Sequence, residues 1–409
     1  MKPPTMLRLP NDADNVEHYA ALREEASVHR VVLPEGPPVW LVTRYDDVRA
    51  GLRDERLSSD PRLLSSPKHK FGGRRIPEDM LSSTGRHMLN TDGAEHRRLR
   101  ALVNAELSSG AVTRWRAGIE RVVGEHLDRL AELSRQAGDE PVDLMSGFAD
   151  PLPASVIGMV VGIDPDRWPD VARLVRHLLS DEHPASPEMV DSYHELIDLI
   201  VATVERKRTD PGDDLISALL SAPEPTGLRD LLSTVMALLI GGPPTTATAM
   251  SHGTVVLSSR PDLLKRALAD DTEVATTVEE LLRHHPPFPF ANWRFATEDV
   301  ELGGVTIPKD ATVLLALAAA NRDPRAYADP DAVCPHREHE PTHLAFGSGT
   351  HRCIGAWLAR MELAVALPAL FRRFPRLSLA TPADELVWTA AVFDRRLESL
   401  PVWLHGSPR

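Results

Sequence analysis

The sequence predicts a mainly α protein with small β-sheets toward both ends. Three observations carry this. Apolar residues recur at helical spacing from Ala94 to about Leu282. Strand-like runs cluster at about 30–60 and 293–320. No alternation of strand and helix occurs, and no Gly-x-Gly-x-x-Gly turn follows a strand, which excludes a dinucleotide-binding architecture.

Taken in order, "VEHYAALREEA" predicts a first helix. "HRVVLP" and "PVWLVTRY" predict two strands around the turn signal "EGPP". The polar stretch "SSPKHKFGGRRIPEDMLSSTGRH" predicts a loop. The helical region is broken by "DEHPASPE" and "SAPEPTG". Strands return in "DVELGGVTIPKDATVLLAL", and "GAWLARMELAVALPALFRRF" predicts a closing helix. A chain of 409 residues exceeds the roughly 250–300 at which single cores stop growing, so one large helical domain and two subregions both remain open.

The balance of 46 basic against 59 acidic residues gives a net charge of −13, which argues against nucleic acid as the main partner. The start shows no signal peptide. Clean apolar stretches such as "LLALAAA" fall short of the roughly 18 residues that span a membrane, so a cytoplasmic protein without a membrane partner is expected. Only Cys334 and Cys353 occur, with no Cys-x-x-Cys pair, so neither a disulfide framework nor a cysteine zinc site is expected.

The most informative stretch is "HLAFGSGTHRCIGAWLAR", His343 to Arg360. Gly347, Gly349 and Gly355 allow tight turns and close backbone approach. Cys353 stands just before a helix, where unpaired N–H groups and the helix dipole favour an anion and lower a thiol's pKa. The stretch resembles the heme-binding loop of cytochrome P450 enzymes, Phe-x-x-Gly-x-His-x-Cys-x-Gly, matched by Phe346, Gly349, His351, Cys353 and Gly355.

The resemblance implies a triangular helical prism forming a single domain over 1–409, with the α-rich core at about 94–290 and 350–375. It implies heme b with Cys353 as axial ligand, O2 as co-substrate, and electrons from NAD(P)H through ferredoxin reductase and ferredoxin. Phe346 and Gly347 belong to the heme loop. His96 and Arg100, at i, i+4 in "GAEHRRLRALV", resemble the family's propionate pair, with Arg294 and His351 as further contacts. Glu280 and Arg283 in "EELLRHHPP" resemble its structural Glu-x-x-Arg, and Arg337 is the candidate third member. The segment "DPDAVCPHREHE" departs from the family at Val333 and Cys334, and Cys334 is read as buried filler. Arg97, Arg98, Arg352 and Arg360 are read either as a patch for an acidic ferredoxin or as solvated surface charges.

"LLIGGPPTTAT" departs further. The family pattern Ala/Gly-Gly-x-Asp/Glu-Thr-Thr is met by Gly241, Gly242, Thr245 and Thr246, but Pro244 stands where the acid should be. A helix-interior proline costs about 3 kcal/mol, yet Pro243 and Pro244 fall where this helix is expected to open, so their cost should be lower. Thr245 is expected to bond back to Gly241 and sit near bound oxygen. Without a carboxylate at 244, three readings stay open: protons from water or substrate, radical C–C or C–N coupling of an aromatic substrate such as a tryptophan-containing cyclodipeptide, or ordinary hydroxylation of a polyketide or terpenoid. A non-catalytic auxiliary partner of a biosynthetic enzyme is the competing class.

For the substrate cavity the expected segments are the loop around Ser65–Met88, Met236 with Ile240 and Gly241, Phe288, Phe290 and Asn292 in "PPFPFANW", and Phe393 in "TAAVFD". The adjacent His284 and His285 are read as exposed or at a pocket edge, not as metal ligands.

Overall fold

The computed structural model describes residues 5–6, 15–33, 38–65, 86–179, 186–222, 226–337, 341–389 and 396–406. The first part of the chain supplies β1 (Thr5–Met6), α1 (Asn15–Glu25), β2 (Val28–Val32), β3 (Pro38–Val42), α2 (Tyr45–Gly51) and β4 (Leu57–Ser58). The helical part follows: α3 (Gly93–Leu107), α4 (Arg116–Ala137), α5 (Pro151–Val161), α6 (Trp168–Leu178), α7 (Pro187–Thr209), α8 (Leu215–Leu220), α9 (Leu228–Gly241), α10 (Pro243–Ser259), α11 (Pro261–Ala267) and α12 (Asp271–His284). Between α4 and α5 lies the short β5 (Val142–Asp143). The last part carries β6 (Arg294–Ala296), β7 (Val300–Leu302), β8 (Val305–Ile307), β9 (Thr312–Leu315), α13 (Leu317–Ala320), α14 (Ala356–Arg373), β10 (Ser378–Leu379) and β11 (Pro401–Trp403).

Local chemistry sets many boundaries. Ser186 caps α7 by accepting from the Met189 N–H, with Pro187 in the first turn. Asp270 caps α12 by accepting from Thr272 and Glu273. Gly162 ends α5 in the left-handed conformation at φ 102°. Gly303 and Gly304, at φ 56° and 76°, form the two-residue turn that joins β7 to β8.

Six strands form one sheet in the order β1-β2-β3-β9-β6-β4. Its centre pairs Trp40 with Val313 in parallel and Val313 with Arg294 in antiparallel register, which brings the N-terminal strands against the 293–315 region. A second sheet runs β10-β11-β5. One apolar core is built by the helices, with Ile119, Leu130, Ile200 and Leu370 fully enclosed. Burial of such side chains contributes about 1.5–3 kcal/mol each. Two further clusters lie along the large sheet.

Together α9 and α10 make an apolar run of 32 residues, Leu228–Ser259, long and apolar enough to cross a membrane. This corrects the expectation that no stretch reaches that length. The run is mostly buried among α5, α12 and α14, as a core helix is.

Candidate active site

The cysteine loop is closed by its own backbone before α14 begins. The Gly347 N–H donates to Leu344 O at 2.8 Å, and the Cys353 N–H to Phe346 O at 2.8 Å. Gly347 and Gly349 have φ of 67° and 75°, which side chains rarely adopt. A Cβ at Gly349 would also stand 2.8 Å from Leu52 O, so the loop lies directly against the end of α2. Arg53 Nε donates to Ser348 Oγ at 2.8 Å and fixes that contact. Gly355 needs no left-handed backbone, since its φ of −81° suits any residue, and a Cβ built on it would stand 4.0 Å from Cys353 Sγ, so the backbone passes close to the sulfur.

The Cys353 side chain is accessible although protein crowds it. Burial pushes the thiol above its ordinary value, against the Gly355 N–H, Arg100, Arg360 and Arg352, which favour the anion. The sequence reading of a lowered pKa is therefore corrected: desolvation outweighs the helix mouth and the three cations. Cys334 is also accessible, not a buried filler. What its position contributes is a backbone N–H that donates to Glu280 at 2.8 Å.

Charges converge beside the loop. His96 is buried on α3, and its Nε2 has no hydrogen-bond partner among the described residues. Its ring lies 4.2 Å from that of His351. Arg100, one turn on, donates to Arg352 O at 2.6 Å. Arg294, 3% exposed on β6, donates only to the carbonyls of Asn292 and Trp293 and has no ion pair among the described residues. Burial lowers its pKa to about 10. His351 donates from Nε2 to Asp92 Oδ1 at 2.7 Å, and Ser58 donates to the same carboxylate at 2.5 Å. Burial would raise that carboxyl, but these bonds hold it well below its usual range. The sequence reading missed Asp92; its position just before "GAEH" was the available signal.

Glu280 and Arg283 lie on α12, 5% and 2% exposed, joined by two bonds of 2.7 and 2.8 Å. Arg337 Nε donates to Glu280 Oε1 at 2.9 Å, so the three residues named from sequence meet. Beside them an unforeseen pair forms: Arg360 of α14 donates to Glu279 at 2.5 and 2.8 Å, and His343 joins it at 3.1 Å. Burial opposes ionisation of Glu279, yet those bonds hold it down to about 2. Arg360 also stacks over Phe346, 4.4 Å from the ring centre.

The long apolar helix divides where the prolines fall. α9 ends at Gly241 and α10 starts at Pro243, with Pro243 and Pro244 in its first turn, where a missing N–H costs least. The Thr245 hydroxyl donates back to Gly241 O at 3.1 Å or Gly242 O at 3.0 Å. Among the described residues, and apart from its own helix, nothing lies within 4 Å of a Cβ built on Gly241. Met236 is buried, while Ile240 and Phe288 are half-buried and Asn292 is exposed. Phe290, expected at the cavity, is fully enclosed in the sheet-side core with its ring edge-on to Tyr19 at 6.2 Å. Aromatic character alone did not tell cavity from core. Phe393 and most of the Ser65–Met88 loop lie outside the described residues.

The site therefore brings together an accessible sulfur at a helix mouth, a buried imidazole on α3, a buried guanidinium on β6 and a helix opened at Gly-Gly. Comparison with known proteins gives the family. The profile of the family described as Cytochrome P450 matches residues 159–386. The 6-deoxyerythronolide B hydroxylase of Saccharopolyspora erythraea is 38% identical over 401 residues, 95% of each chain. Nocardicin C N-oxygenase of Nocardia uniformis is 39% identical over 393 residues, 94% of each. The tirandamycin C-bound P450 monooxygenase TamI superposes with a TM-score of 0.85 at 35% identity, covering 98% of this chain and 100% of that one. The chain belongs to the cytochrome P450 family of heme-thiolate monooxygenases.

The residues present fit the family's heme. Among the described residues, His96 Nε2 without a partner and the buried Arg294 without an ion pair are groups that two propionates could satisfy. The accessible Cys353 sulfur has the Gly355 N–H and the charges of Arg100, Arg360 and Arg352 favouring its anion, which suits a metal-bound thiolate although burial alone opposes it. The sequence reading also missed Glu362 on α14: it is 3% exposed, Oε1 is without a partner among the described residues, and burial pushes its carboxyl up to about 8.

Proposed function

We propose that the chain oxygenates a secondary metabolite, with Cys353 as the residue whose sulfur would hold heme b. The observation that carries this reading is the joint presence of Cys353, the unpartnered His96 Nε2 and the buried Arg294 on three separate elements. An auxiliary protein without chemistry would have no need to keep a buried cation and an orphan imidazole. When bound through a thiolate, heme supplies O2 activation, because the sulfur pushes electron density toward O–O cleavage.

The chain's own residues hold and align. His96, Arg100 and Arg294 would receive the propionates, and His351, fixed by Asp92, lies tilted against His96. Thr245 keeps its hydroxyl at the helix break by donating to a carbonyl, which leaves the oxygen free to accept from the open side. Pro244 has no proton to give, so protons reach this point through water or polar groups of the substrate. Substrate meets the Gly241 face, Met236, Ile240 and Phe288.

One relative is named as a hydroxylase of 6-deoxyerythronolide B and another as a cytochrome P450 of polyketide biosynthesis, which supports hydroxylation of a polyketide-like compound, while a third is named as an N-oxygenase of nocardicin C. Coupling of an aromatic substrate is the second reading, motivated by Pro244 standing where the family pattern carries an acid. Electrons come from NAD(P)H through ferredoxin reductase and ferredoxin, in the cytoplasm. Of the four arginines proposed for docking, Arg98 is bound to Glu95 and Asp230 and Arg360 to Glu279. Arg97 and Arg352 remain exposed near the loop, with the 42%-exposed Trp357 on α14.

The test is turnover under 18O2 with NADPH, ferredoxin reductase and ferredoxin, offering macrolide-type lactones and tryptophan cyclodipeptides. One 18O atom per product supports hydroxylation. Coupled product without label overturns it in favour of the second reading. A reduced-CO spectrum without the thiolate band overturns both.

A further inference from the structure

The family function leaves one side-chain cluster without a role. His252 on α10 and His284 with His285 at the end of α12 each offer a ring nitrogen, and these three atoms lie within 4.8 Å of one another. The His252 and His285 ring centres are 3.2 Å apart, and His284 Nδ1 stands 2.7 Å from His285 Nδ1. His252 is 6% exposed, and the other two are half-buried. We propose that His252, His284 and His285 form a binding site for one divalent d-block cation of the zinc class.

The geometry is close to what coordination needs. Bonds of about 2.0–2.1 Å at the tetrahedral angle separate imidazole nitrogens by about 3.3 Å. The observed spread, from 2.7 Å to at most 4.8 Å, brackets that value, so small ring rotations suffice. A tautomer is already set. His284 Nε2–H donates to Asp331 O at 2.9 Å, which places the lone pair on Nδ1; the 2.7 Å contact then has His285 Nδ1–H as its donor, and metal binding requires that proton to move to His285 Nε2. Ligating histidines are oriented by just such a bond to a carbonyl. A cavity of about 10 Å³ bounded by Ala249, Leu281, His285 and Leu363 adjoins the His285 ring.

Arg322 competes for the site. Its Nη2 lies 3.3 Å from His284 Nδ1. Its shorter bonds go elsewhere, at 2.9 Å to Asp331 and 3.1 Å to the His284 carbonyl, so that contact can be given up while both persist. The Asp331 carboxylate offsets its charge. Three neutral imidazoles select borderline cations over calcium or magnesium, and a water completes the fourth position. Bound metal would tie α10 to the end of α12, 32 residues later in the chain.

The experiment uses heme-loaded, tag-free protein, stripped with chelator, equilibrated with excess zinc and desalted. Zinc is then counted against heme iron. One zinc per heme is expected, with a first shell of three imidazole nitrogens by zinc X-ray absorption. His284→Gln and His285→Gln should each weaken binding by more than tenfold while heme content is unchanged. No retained zinc, equal retention in both variants, or a shell with fewer than two imidazoles overturns the proposal. Should a variant fail to fold, the absorption spectrum of the unaltered protein decides alone.

Discussion

Replacing Glu280 tests whether the buried charge network holds the segment that precedes the cysteine loop. All five N–H donors of Arg283 are used: two reach Glu280, and the others go to the carbonyls of Asn321, Pro330 and Ala332 at 2.7, 2.9 and 3.0 Å. Glu280 Oε1 also accepts from the Cys334 N–H at 2.8 Å and from Arg337 at 2.9 Å. Burial alone would raise the Glu280 carboxyl, but these donors more than compensate and lower it. Glu280→Ala therefore strands a guanidinium that is 2% exposed and orphans a backbone N–H. Breaking a buried pair on one side costs about 3–5 kcal/mol, and the lost N–H bond adds about 1 kcal/mol. Glu280→Gln keeps the shape but sets an amide N–H against an Arg283 donor, for an expected loss of about 2–4 kcal/mol. Urea unfolding followed by far-UV dichroism reads the loss, and Soret absorbance reads heme retention. Limited proteolysis should show earliest cleavage between Asp329 and Cys334, whose backbone the network tethers. If Glu280→Gln unfolds within about 0.5 kcal/mol of the parent and the segment stays protected, the network does not carry the load assigned to it.

Glu362 makes a separate expectation about pH. Its folded pKa of about 8 lies above the ordinary 4.5, so the folded state holds a proton that the unfolded state has lost. The stability tied to that proton is present below about pH 4.5 and is lost as pH rises through about 8, amounting to at most about 5 kcal/mol. Glu362→Gln should flatten this slope, so its melting temperature should exceed the parent's by a margin that grows from pH 5 to pH 9; parallel curves would count against a protonated Glu362. Gly349→Ala should lower heme retention and stability by about 1–3 kcal/mol, given its φ of 75° and the 2.8 Å approach to Leu52 O. Gly241→Ala, by contrast, meets nothing outside its own helix within 4 Å among the described residues and should leave melting within about 1 kcal/mol of the parent while changing the Soret response to ligands. Pro244→Glu should raise product formed per NADPH consumed if proton supply at the break limits turnover; an unchanged ratio places the limit elsewhere.

Much of the site was legible because its signals are local. The glycines before Cys353, the Glu280–Arg283 spacing and the paired prolines after Gly241 are each written in a handful of neighbouring residues. The small strands β4, β5, β10 and β11 were not foreseen individually, because two or three residues carry too little periodicity. They exist only as pairings with distant strands, such as Leu57 with Ala296 and Val142 with Val402.

By itself, then, the sequence determined the helical class, the loop that presents Cys353, and the break at Gly242, since backbone preference and spacing act within a turn or two. Only the tertiary structure decided that Phe290 packs in a core, that Asp92 holds His351, that Glu279 takes Arg360, and that His252 meets His284 and His285. It also decided that burial raises the Cys353 thiol against its arginines. The reason is common to all of these: desolvation and side-chain pairing depend on which remote segments cover a residue, and spacing along the chain does not encode that cover.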